Sequence, residues 1–450
     1  MTASSIDLKK GDYPSAWINI RGYLHSYLGV DFPMPCDPVR DIEISLNQAI
    51  ALMNKYFPLE IALQEWDEKI LYEKNIPIPQ PIVEMLYETS FFENKTLRPT
   101  PLCRAERLEK KLELPPSVKL YYKNEAASPL GSHKPNTAIP QVYYAAQEGK
   151  EMAVSSTGAA QWGCALAFAC QHVGIKSTIF MVKPSYYAKS ARIERMKKWG
   201  STIIPSPSML TQVGKTALSN SHLSISAALS RSEAIDFVRS TDSAFFAMGS
   251  VLESVCMHQT VIGQEAKKQL DYLGELPDIV IGCNGGGSNF SGLSYPFMID
   301  KICNHKNIRF ISAESTSYPT LANGIYNYAS WEGGVMPRLK MYSLSPEFAS
   351  PPNHTVGLRS HGMSQSLSQI KNITFDQQPL LETTLVKPEE AIQAGKIFKE
   401  TEGWFPAPES AHAIHVAIQE ALVAKKDLHK PKIILFGLSG TGETEEYIYE

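Results

Sequence analysis

A lysine at the start of a helix-like run is the first residue of this chain that could do chemistry. Lys134 lies in "SPLGSHKPNTA", after a Gly-Ser turn and before a proline. We expect this setting to direct the side chain into a cleft, where partial desolvation lowers the pKa of a lysine. Such a lysine can form a Schiff base with an aldehyde. A lone lysine is usually a surface charge, so Lys134 and its neighbours His133 and Asn136 need support from other motifs.

Three consecutive glycines form the second candidate site. In "CNGGGSNFSGL" they stand between a buried strand and a helix, and the residues of this glycine loop are Gly285, Gly286, Gly287, Ser288 and Asn289. Backbone N–H groups at such a helix start bind anions, most often phosphate. The pattern is neither G-x-G-x-x-G nor the P-loop, which disfavours dinucleotides and nucleoside triphosphates. Three glycines are costly unless a ligand must approach closely, so we predict a phosphate site rather than a flexible turn.

A hydroxyl at the end of the last predicted strand completes the set. Ser439, in "GLSGTGETE", lies at the strand edge where ligands bind in parallel sheets. A hydroxyl can bond a neutral ring nitrogen without protonating it, although a serine beside glycine is more often a plain turn residue. A phosphate cradle, a Schiff-base lysine and a hydroxyl for a pyridine nitrogen together predict pyridoxal 5'-phosphate (PLP) as the cofactor.

A fourth stretch, "SSTGAAQWG" at 155–163, joins a predicted strand to a predicted helix. Its hydroxyls and its backbone N–H groups at a helix start suit an anion. The turn contains no acidic or basic side chain, so any proton transfer beside it would need another group.

The elements that must position these residues alternate along the chain. From about residue 118, and again from about 250, strand-like runs such as "PDIVIGCN" alternate with helix-like runs that often end at glycine. This alternation is typical of βαβ units with a parallel sheet. We predict two α/β lobes with a ligand cleft between them. Residues 1–95 are rich in proline and aromatics, and we interpret them as an arm with one helix-like stretch at 44–56.

The composition excludes several classes of protein. Of 450 residues, 43% are hydrophobic and 20% charged, and the formal net charge is -3, so neither nucleic acid nor an acidic membrane surface is expected as a partner. No apolar run approaches the roughly 20 residues of a membrane helix, and the start resembles no secretory signal. The seven cysteines are scattered, which favours a reducing cytoplasm over a disulfide framework. The 11 histidines lack the spacing of metal ligands, so we expect no metal ion held by the protein.

Taken together, the motifs resemble the tryptophan synthase β-chain family of PLP fold type II, and most of all its longer second class. The resemblance covers nearly the whole chain, including "AWINI" and "PMPCDP" in the arm. Its landmarks follow in order: "LRPTPLCRAERLEKKL", "YYKNEAASPLGSHKPNTA", "TGAAQWGCALAFAC", "GSVLESVCMHQTVIGQEAKKQLD", "PDIVIGCNGGGSNFSGL", "GLRSHGM", "TEGWFPAPESAHAI" and "ILFGLSGTGE". It implies a two-lobed, three-layer α/β/α fold, with an N-terminal extension at 1–95, an N-terminal lobe with the substrate-carboxylate loop at 96–250, and a C-terminal lobe with the phosphate loop at 251–450.

The resemblance also implies a role for each site residue. Lys134 would form the internal aldimine with PLP, and Glu409 would lie near the ring. The cofactor-binding set becomes His133, Lys134, Asn136, Gly285, Gly286, Gly287, Ser288, Asn289, Glu409 and Ser439. The substrate's α-carboxylate would bind the turn through Thr157, Gly158, Ala159, Ala160, Gln161 and Trp162.

The family's usual reaction is a lyase-type β-substitution in amino-acid biosynthesis, in which indole replaces the hydroxyl of L-serine through an aminoacrylate. The resemblance further implies a homodimer and is compatible with a monovalent cation near the glycine loop. The arm of the longer class makes docking of a separate α-chain unexpected.

Several positions depart from the family pattern. The family turn reads Glu-Thr-Gly-Ala-Gly-Gln, and its glutamate is the acid/base; this chain has Ser156 there, and Ala160 in place of the second glycine. The longer class has a tyrosine where this chain has Ser360, a cysteine at Tyr318 and a histidine at Thr441. The residues that hold PLP match, whereas the acceptor side is altered.

The lost carboxylate leaves three hypotheses. A positioned acid/base contributes roughly 10²–10⁴-fold in rate, and Ser156 could at most orient a substrate or a water. The first hypothesis is an altered β-substitution on a serine-type amino acid with a better leaving group or a stronger nucleophile; the proton could come from Glu443 or Glu314. The second is a tryptophan synthase with a rearranged site. The third is a PLP-binding subunit that regulates or scaffolds an active partner.

Overall fold

Two largely parallel β-sheets form the framework of the protein. The computed structural model describes residues 5–92, 94–220, 226–330, 336–345, 347–348, 351, 355–427 and 431–449. The larger sheet has seven strands, in the spatial order Ser5–Ile6, Leu102–Arg104, Val118–Asn124, Lys432–Leu438, Ile279–Cys283, Arg309–Ser315 and Glu382–Val386. Leu102–Arg104 pairs antiparallel with both of its neighbours, and the remaining neighbours pair parallel. The smaller sheet is all parallel, in the order Thr202–Ser206, Lys176–Val182, Met152–Thr157 and Ala244–Phe246.

Helices cover both faces of the larger sheet, which produces the predicted layers. Ile279 and Ile281 pack into one apolar cluster with the helix Pro408–Ala424, whereas Val280 between them packs into another with the helix Ser288–Asn304. Side chains alternate across a strand, so an apolar run such as "IVIGC" can serve both layers at once.

α-Helices connect the strands of both sheets and make up most of the arm. The described helices are Ile20–Leu28, Leu46–Met53, Leu59–Trp66, Glu68–Tyr72, Gln80–Val83, Glu106–Lys111, Pro135–Gln147, Gln161–Val173, Lys183–Ala188, Ser190–Lys198, Gln212–Ser219, Ala227–Arg239, Glu253–His258, Val261–Asp271, Ser288–Asn304, Thr320–Asn323, Gln365–Lys371, Pro388–Glu402 and Pro408–Ala424. The sequence predicts one helix for "YYAKSARIERMKKWG" and one for "VCMHQTVIGQEAKKQLDYLG", but each of these stretches contains two helices. One breaks at Lys189, whose backbone is non-helical, and the other at residues 259–260.

The arm is more structured than the sequence suggested. It contains five of these helices rather than one, and its strand Ala16–Ile18 pairs with Asn75–Pro77. The buried guanidinium of Arg21 donates to the carbonyl oxygens of Gln64 and Glu65 at 2.6 and 2.7 Å. The short strand Ser5–Ile6 extends the larger sheet, so the arm is part of the folded body.

The two sheets do not divide at residue 250. Leu102–Arg104 and Val118–Asn124 precede that position but belong to the larger sheet, where the second pairs with the last strand, Lys432–Leu438. The division into 96–250 and 251–450 therefore stays a prediction about domains. Two antiparallel hairpins, Ile325–Ala329 with Leu339–Ser343 and Thr374–Phe375 with Gln378–Pro379, complete the strands. Within the described residues, no helix is both long and apolar enough to cross a membrane.

Candidate active site

Lys134 immediately precedes the helix Pro135–Gln147. Its Nζ donates a hydrogen bond to the carbonyl oxygen of Gly249 at 2.9 Å. Burial lowers the pKa of the Lys134 ammonium to about 8, and the nearby Cys283 and Glu409 partly oppose this shift. A substantial fraction of this amine is therefore neutral near pH 7.5, which is the state that attacks an aldehyde.

His133 is tied to the end of the last strand. Its Nδ1 lies 2.9 Å from the carbonyl oxygen of Ser439, and because a carbonyl oxygen only accepts, Nδ1 carries the proton. Nε2 is then a bare acceptor, buried and unpartnered among the described residues. Burial lowers the pKa of the imidazole to about 3, so His133 is neutral. An orphaned ring nitrogen beside Lys134 suggests a ligand group that fills this place.

Asn136, predicted to bind the cofactor, has hydrogen bonds to other buried side chains of the protein. Its Oδ1 accepts from Arg98 at 2.9 Å and its Nδ2 donates to Gln259 at 2.9 Å. Arg98 in turn bridges the buried carboxylates of Glu125 and Glu265, each at 2.8 Å. Asn136 thus connects the base of the helix after Lys134 to a buried ion network, and its contact with a cofactor stays a prediction.

The glycine loop is packed so closely that side chains would not fit. A Cβ on Gly285 would lie 2.8 Å from the carbonyl oxygen of Gly357, and one on Gly286 would lie 2.6 Å from Val251. Gly287 has a φ of 121°, which L side chains rarely adopt. The loop leads directly into the helix Ser288–Asn304, whose first N–H groups provide an anion site.

Two neighbours of the glycine loop were not predicted. Ser364 lies against Gly287, and its buried Oγ has no hydrogen-bond partner among the described residues. Val251, beside Gly286, has a φ of 75°, a strained conformation for a β-branched residue. Strain of this kind clusters at ligand sites. A positive φ at a valine leaves no signal in a single sequence.

Ser439 ends the last strand, as predicted, within a chain of small polar groups. Its Oγ lies 2.7 Å from Oγ of Ser410 and 3.5 Å from Sγ of Cys283. Burial raises the pKa of the Cys283 thiol to about 12, so this wall of the site is uncharged. Neutral hydroxyls here can bond a pyridine nitrogen but cannot protonate it.

Hydrogen bonds between the two ends of the turn 155–163 fix its shape. Nε1 of Trp162 donates to Oγ of Ser155 at 2.8 Å, and the backbone N–H of Gly163 donates to Oγ1 of Thr157 at 3.3 Å. Ala160, where the family has glycine, adopts a left-handed φ of 65°. Ser156 is half-buried near the end of the strand Met152–Thr157, opposite Phe180.

A short helical segment, Val356–Leu358, connects the separate parts of the site. A Cβ on Gly158 would lie 2.5 Å from Val356, while Gly357 lies against Gly285. The backbone N–H of Gly357 donates to Oε1 of Glu409 at 2.7 Å. Burial raises the pKa of the Glu409 carboxyl, as does the charge of the nearby Glu445. The segment therefore brings the turn, the glycine loop and Glu409 together.

The sequence favours a solvated helix face for five cations, Lys189, Arg192, Arg195, Lys197 and Lys198, and this interpretation is only partly right. Lys189 and Arg192 are buried and pair with Glu445, at 2.6 and 3.3 Å. Lys197 keeps the expected exposed position, where it pairs with Glu194. The interpretation is wrong for Lys189 and Arg192, because their partner, Glu445, lies about 250 residues away in the sequence.

The site as a whole fits a phosphorylated aldehyde. A close-packed glycine loop at a helix start supplies an anion site, and a lysine of lowered pKa supplies the amine that binds the aldehyde of PLP. Among the described residues, no cluster of three His, Cys, Asp or Glu side chains could hold a metal ion.

Comparison with known proteins agrees with this chemistry. Residues 94–440 match the family model described as "Pyridoxal-phosphate dependent enzyme". The chain is 40% identical over 439 residues to the tryptophan synthase beta chain of Pseudothermotoga lettingae, covering 97% of each chain. It is also 40% identical over 439 residues to tryptophan synthase beta chain 2 of Thermotoga maritima, with the same coverage. This chain belongs to the tryptophan synthase β-chain-like family of PLP-dependent enzymes.

Solved structures agree on the fold. The processed form of threonine deaminase isoform 2 from Solanum lycopersicum superposes with a TM-score of 0.57 at 15% identity, covering 93% of this chain and 96% of that one. The predicted α/β architecture of PLP fold type II is thereby confirmed. PLP is the cofactor and the protein is a PLP-dependent lyase, as the motifs indicated.

Proposed function

We propose that this enzyme replaces the β-substituent of a serine-type amino acid with a nucleophile, at a site whose acid/base has moved. The observation that supports the proposal is Ser156, which stands in the turn where the family keeps its glutamate, in a chain that has the lysine and the glycine loop expected for PLP. PLP, when bound, withdraws electrons from the amino acid's Cα and so lets the β-substituent leave.

Each part of the site has one task in this proposal. Nζ of Lys134 holds the cofactor and moves the proton of the substrate's Cα. The glycine loop holds the phosphate through its N–H groups, His133 lies beside it, and the turn Thr157–Gln161 holds the substrate's carboxylate. Val356 packs against this turn at Gly158.

The proton for the leaving group needs a carboxyl, and three candidates can be compared. Both oxygens of Glu314 accept backbone N–H groups, from Leu321 at 2.9 Å and Ala322 at 2.8 Å, so Glu314 serves as a helix cap. Glu443 is exposed to solvent. Glu409 lies among the site residues, close enough to Lys134 for their charges to interact, and burial keeps its carboxyl protonated to a higher pH. We assign the proton transfer to Glu409.

A screen of donor and acceptor pairs by mass spectrometry tests the proposed function. L-serine, O-acetyl-L-serine and O-phospho-L-serine would each be combined with a thiol, a carbon acid and indole. We expect the acetyl and phospho donors to react faster than L-serine, because their leaving groups need less protonation. The Lys134→Ala variant is the matched control and should form no adduct. The absence of any adduct with wild-type enzyme would contradict the proposal.

A tryptophan synthase with a rearranged site is the second candidate, favoured by the two relatives of that name at 40% identity. It predicts that L-serine and indole give tryptophan at least as fast as any other pair gives its product. The same screen decides between the two candidates, because only the order of rates differs.

We also propose that the enzyme is a cytoplasmic homodimer without a separate α-chain, and that a monovalent cation can bind near the glycine loop. These features follow from the family resemblance. Light scattering after size-exclusion chromatography checks the dimer, and comparing rates in potassium and tetramethylammonium buffers checks the cation.

A further inference from the structure

A buried ion cluster lies behind the substrate turn. It consists of Lys189, Arg192 and Glu445, whose side chains are only 9%, 8% and 5% exposed. The carboxylate of Glu445 accepts from Lys189 at 2.6 Å and from both terminal nitrogens of Arg192, at 3.3 and 3.4 Å. Charges as buried as these are costly unless paired, so the cluster holds its members in fixed positions.

The cluster is bonded directly to the turn. Arg192 donates through its guanidinium to the carbonyl oxygen of Ala159. The side-chain amide of Gln161, the residue after Ala160, donates to the carbonyl oxygen of Thr441 at 3.1 Å. The left-handed Ala160 is thus held from both sides, and a non-glycine residue keeps such a conformation only where its surroundings fix it.

The residue that completes the cluster comes from the C-terminal segment. The backbone N–H of Glu445 donates to the carbonyl oxygen of Gly442 at 2.7 Å. Beyond it, the hydroxyl of Tyr449 donates to the carbonyl oxygen of Pro406 at 2.7 Å, and its ring lies over Gly395. The segment is therefore anchored on both sides of Glu445.

We propose that Glu445 is a positioning residue for the amino acid's carboxylate, acting on the turn Thr157–Gln161 through Arg192. Without its carboxylate, Lys189 and Arg192 would repel each other, and the guanidinium would leave the carbonyl oxygen of Ala159. The turn's N–H groups would then lose the geometry that binds the substrate. This inference rests on the proposed function, which assigns the carboxylate to this turn.

The Glu445→Gln variant of the full-length, PLP-loaded enzyme tests this inference, because it keeps the shape of the side chain and removes its charge. Hydrogen exchange at 157–163 without substrate should become roughly tenfold faster, and the Kd for L-serine by calorimetry should rise about tenfold to a hundredfold. Glu194→Gln is the matched control: Glu194 lies on the helix of Arg192, is exposed, and forms only a surface pair with Lys197. Neither quantity should change in the control.

A second variant protects the test against misfolding. Glu445→Asp keeps the charge but shortens the side chain by one methylene group. We expect smaller changes in the exchange rate and in the Kd for L-serine than Glu445→Gln produces. Unchanged exchange, or faster exchange with an unchanged Kd, would overturn the positioning role. An enzyme that binds L-serine yet forms no product contradicts only the proposed function, so the two failures are distinguishable.

Discussion

Replacing Glu409 by glutamine probes the proton transfer most directly. Oε1 of Glu409 accepts the N–H of Gly357 at 2.7 Å, and a glutamine oxygen can accept the same bond. The variant therefore removes a transferable proton and leaves the contact to the segment Val356–Leu358 in place. A neutral hydrogen bond contributes about 0.5–1.5 kcal/mol, and its retention predicts a small change in the free energy of unfolding.

The expected loss depends on the leaving group. A general acid contributes roughly 10²–10⁴-fold, which corresponds to about 2.7–5.4 kcal/mol of transition-state stabilisation. For L-serine, whose hydroxide must be protonated as it leaves, the Glu409→Gln variant should lose this whole factor in kcat. For O-acetyl-L-serine, whose acetate leaves as the anion, the loss should be below about tenfold. The result is a change in the ratio of the two rates rather than a uniform loss.

Steady-state kinetics with both donors and one common acceptor measures this ratio. The PLP absorbance band and the PLP dissociation constant of the variant serve as controls, because Glu409 is also expected near the ring. The pH profile gives a second observable: burial raises the pKa of Glu409, so the L-serine rate of the wild type should fall as pH rises through that pKa. An equal loss for both donors would refute the assignment of the proton to Glu409.

Three further predictions concern other parts of the site. The Ser156→Glu variant should raise the rate with L-serine and indole by roughly 10²-fold or more, measured by tryptophan fluorescence; an unchanged, already high wild-type rate would show that no acid/base is missing. Because burial lowers the pKa of Lys134 to about 8, the rate of PLP capture by the apoenzyme should level off above about pH 8 in stopped-flow absorbance; a rise continuing to the ordinary lysine range near 10.4 would contradict that pKa. The Gly286→Ala variant places a Cβ 2.6 Å from Val251, and this overpacking should weaken PLP binding by about 1–3 kcal/mol in a fluorescence titration; an unaltered affinity would mean that the glycine loop has room to spare.

The parts of the site that the sequence predicted are local in the chain. Lys134, the glycine loop and Ser439 each follow or precede a recognisable strand or helix, and ligand groups in parallel sheets lie at the ends of such strands. Residue type and neighbours were enough to assign each a chemistry. Their meeting at one place follows from the parallel pairing of Lys432–Leu438 with Ile279–Cys283.

The parts that the sequence did not predict depend on distant pairs. The segment around Arg192 has the composition of a solvated face, but Lys189 and Arg192 pair with Glu445, which lies far away along the chain. The same holds for the strand Val118–Asn124, which pairs with the last strand of the chain. The order of the strands in the larger sheet differs from their order along the chain. A division of the chain at residue 250 therefore does not separate the two sheets.

The contacts around the turn explain how its acid/base residue could be lost. Trp162 bonds Ser155, Gly163 bonds Thr157, and Arg192 bonds Ala159, so the shape of the turn depends on neighbours of position 156. A change from glutamate to serine at that position leaves all of these contacts available. In the proposed function, binding of the amino acid and handling of its proton would be separable, because they are assigned to different residues. A chain that gained another proton donor, or a substrate with a better leaving group, could lose the glutamate without losing the substrate site.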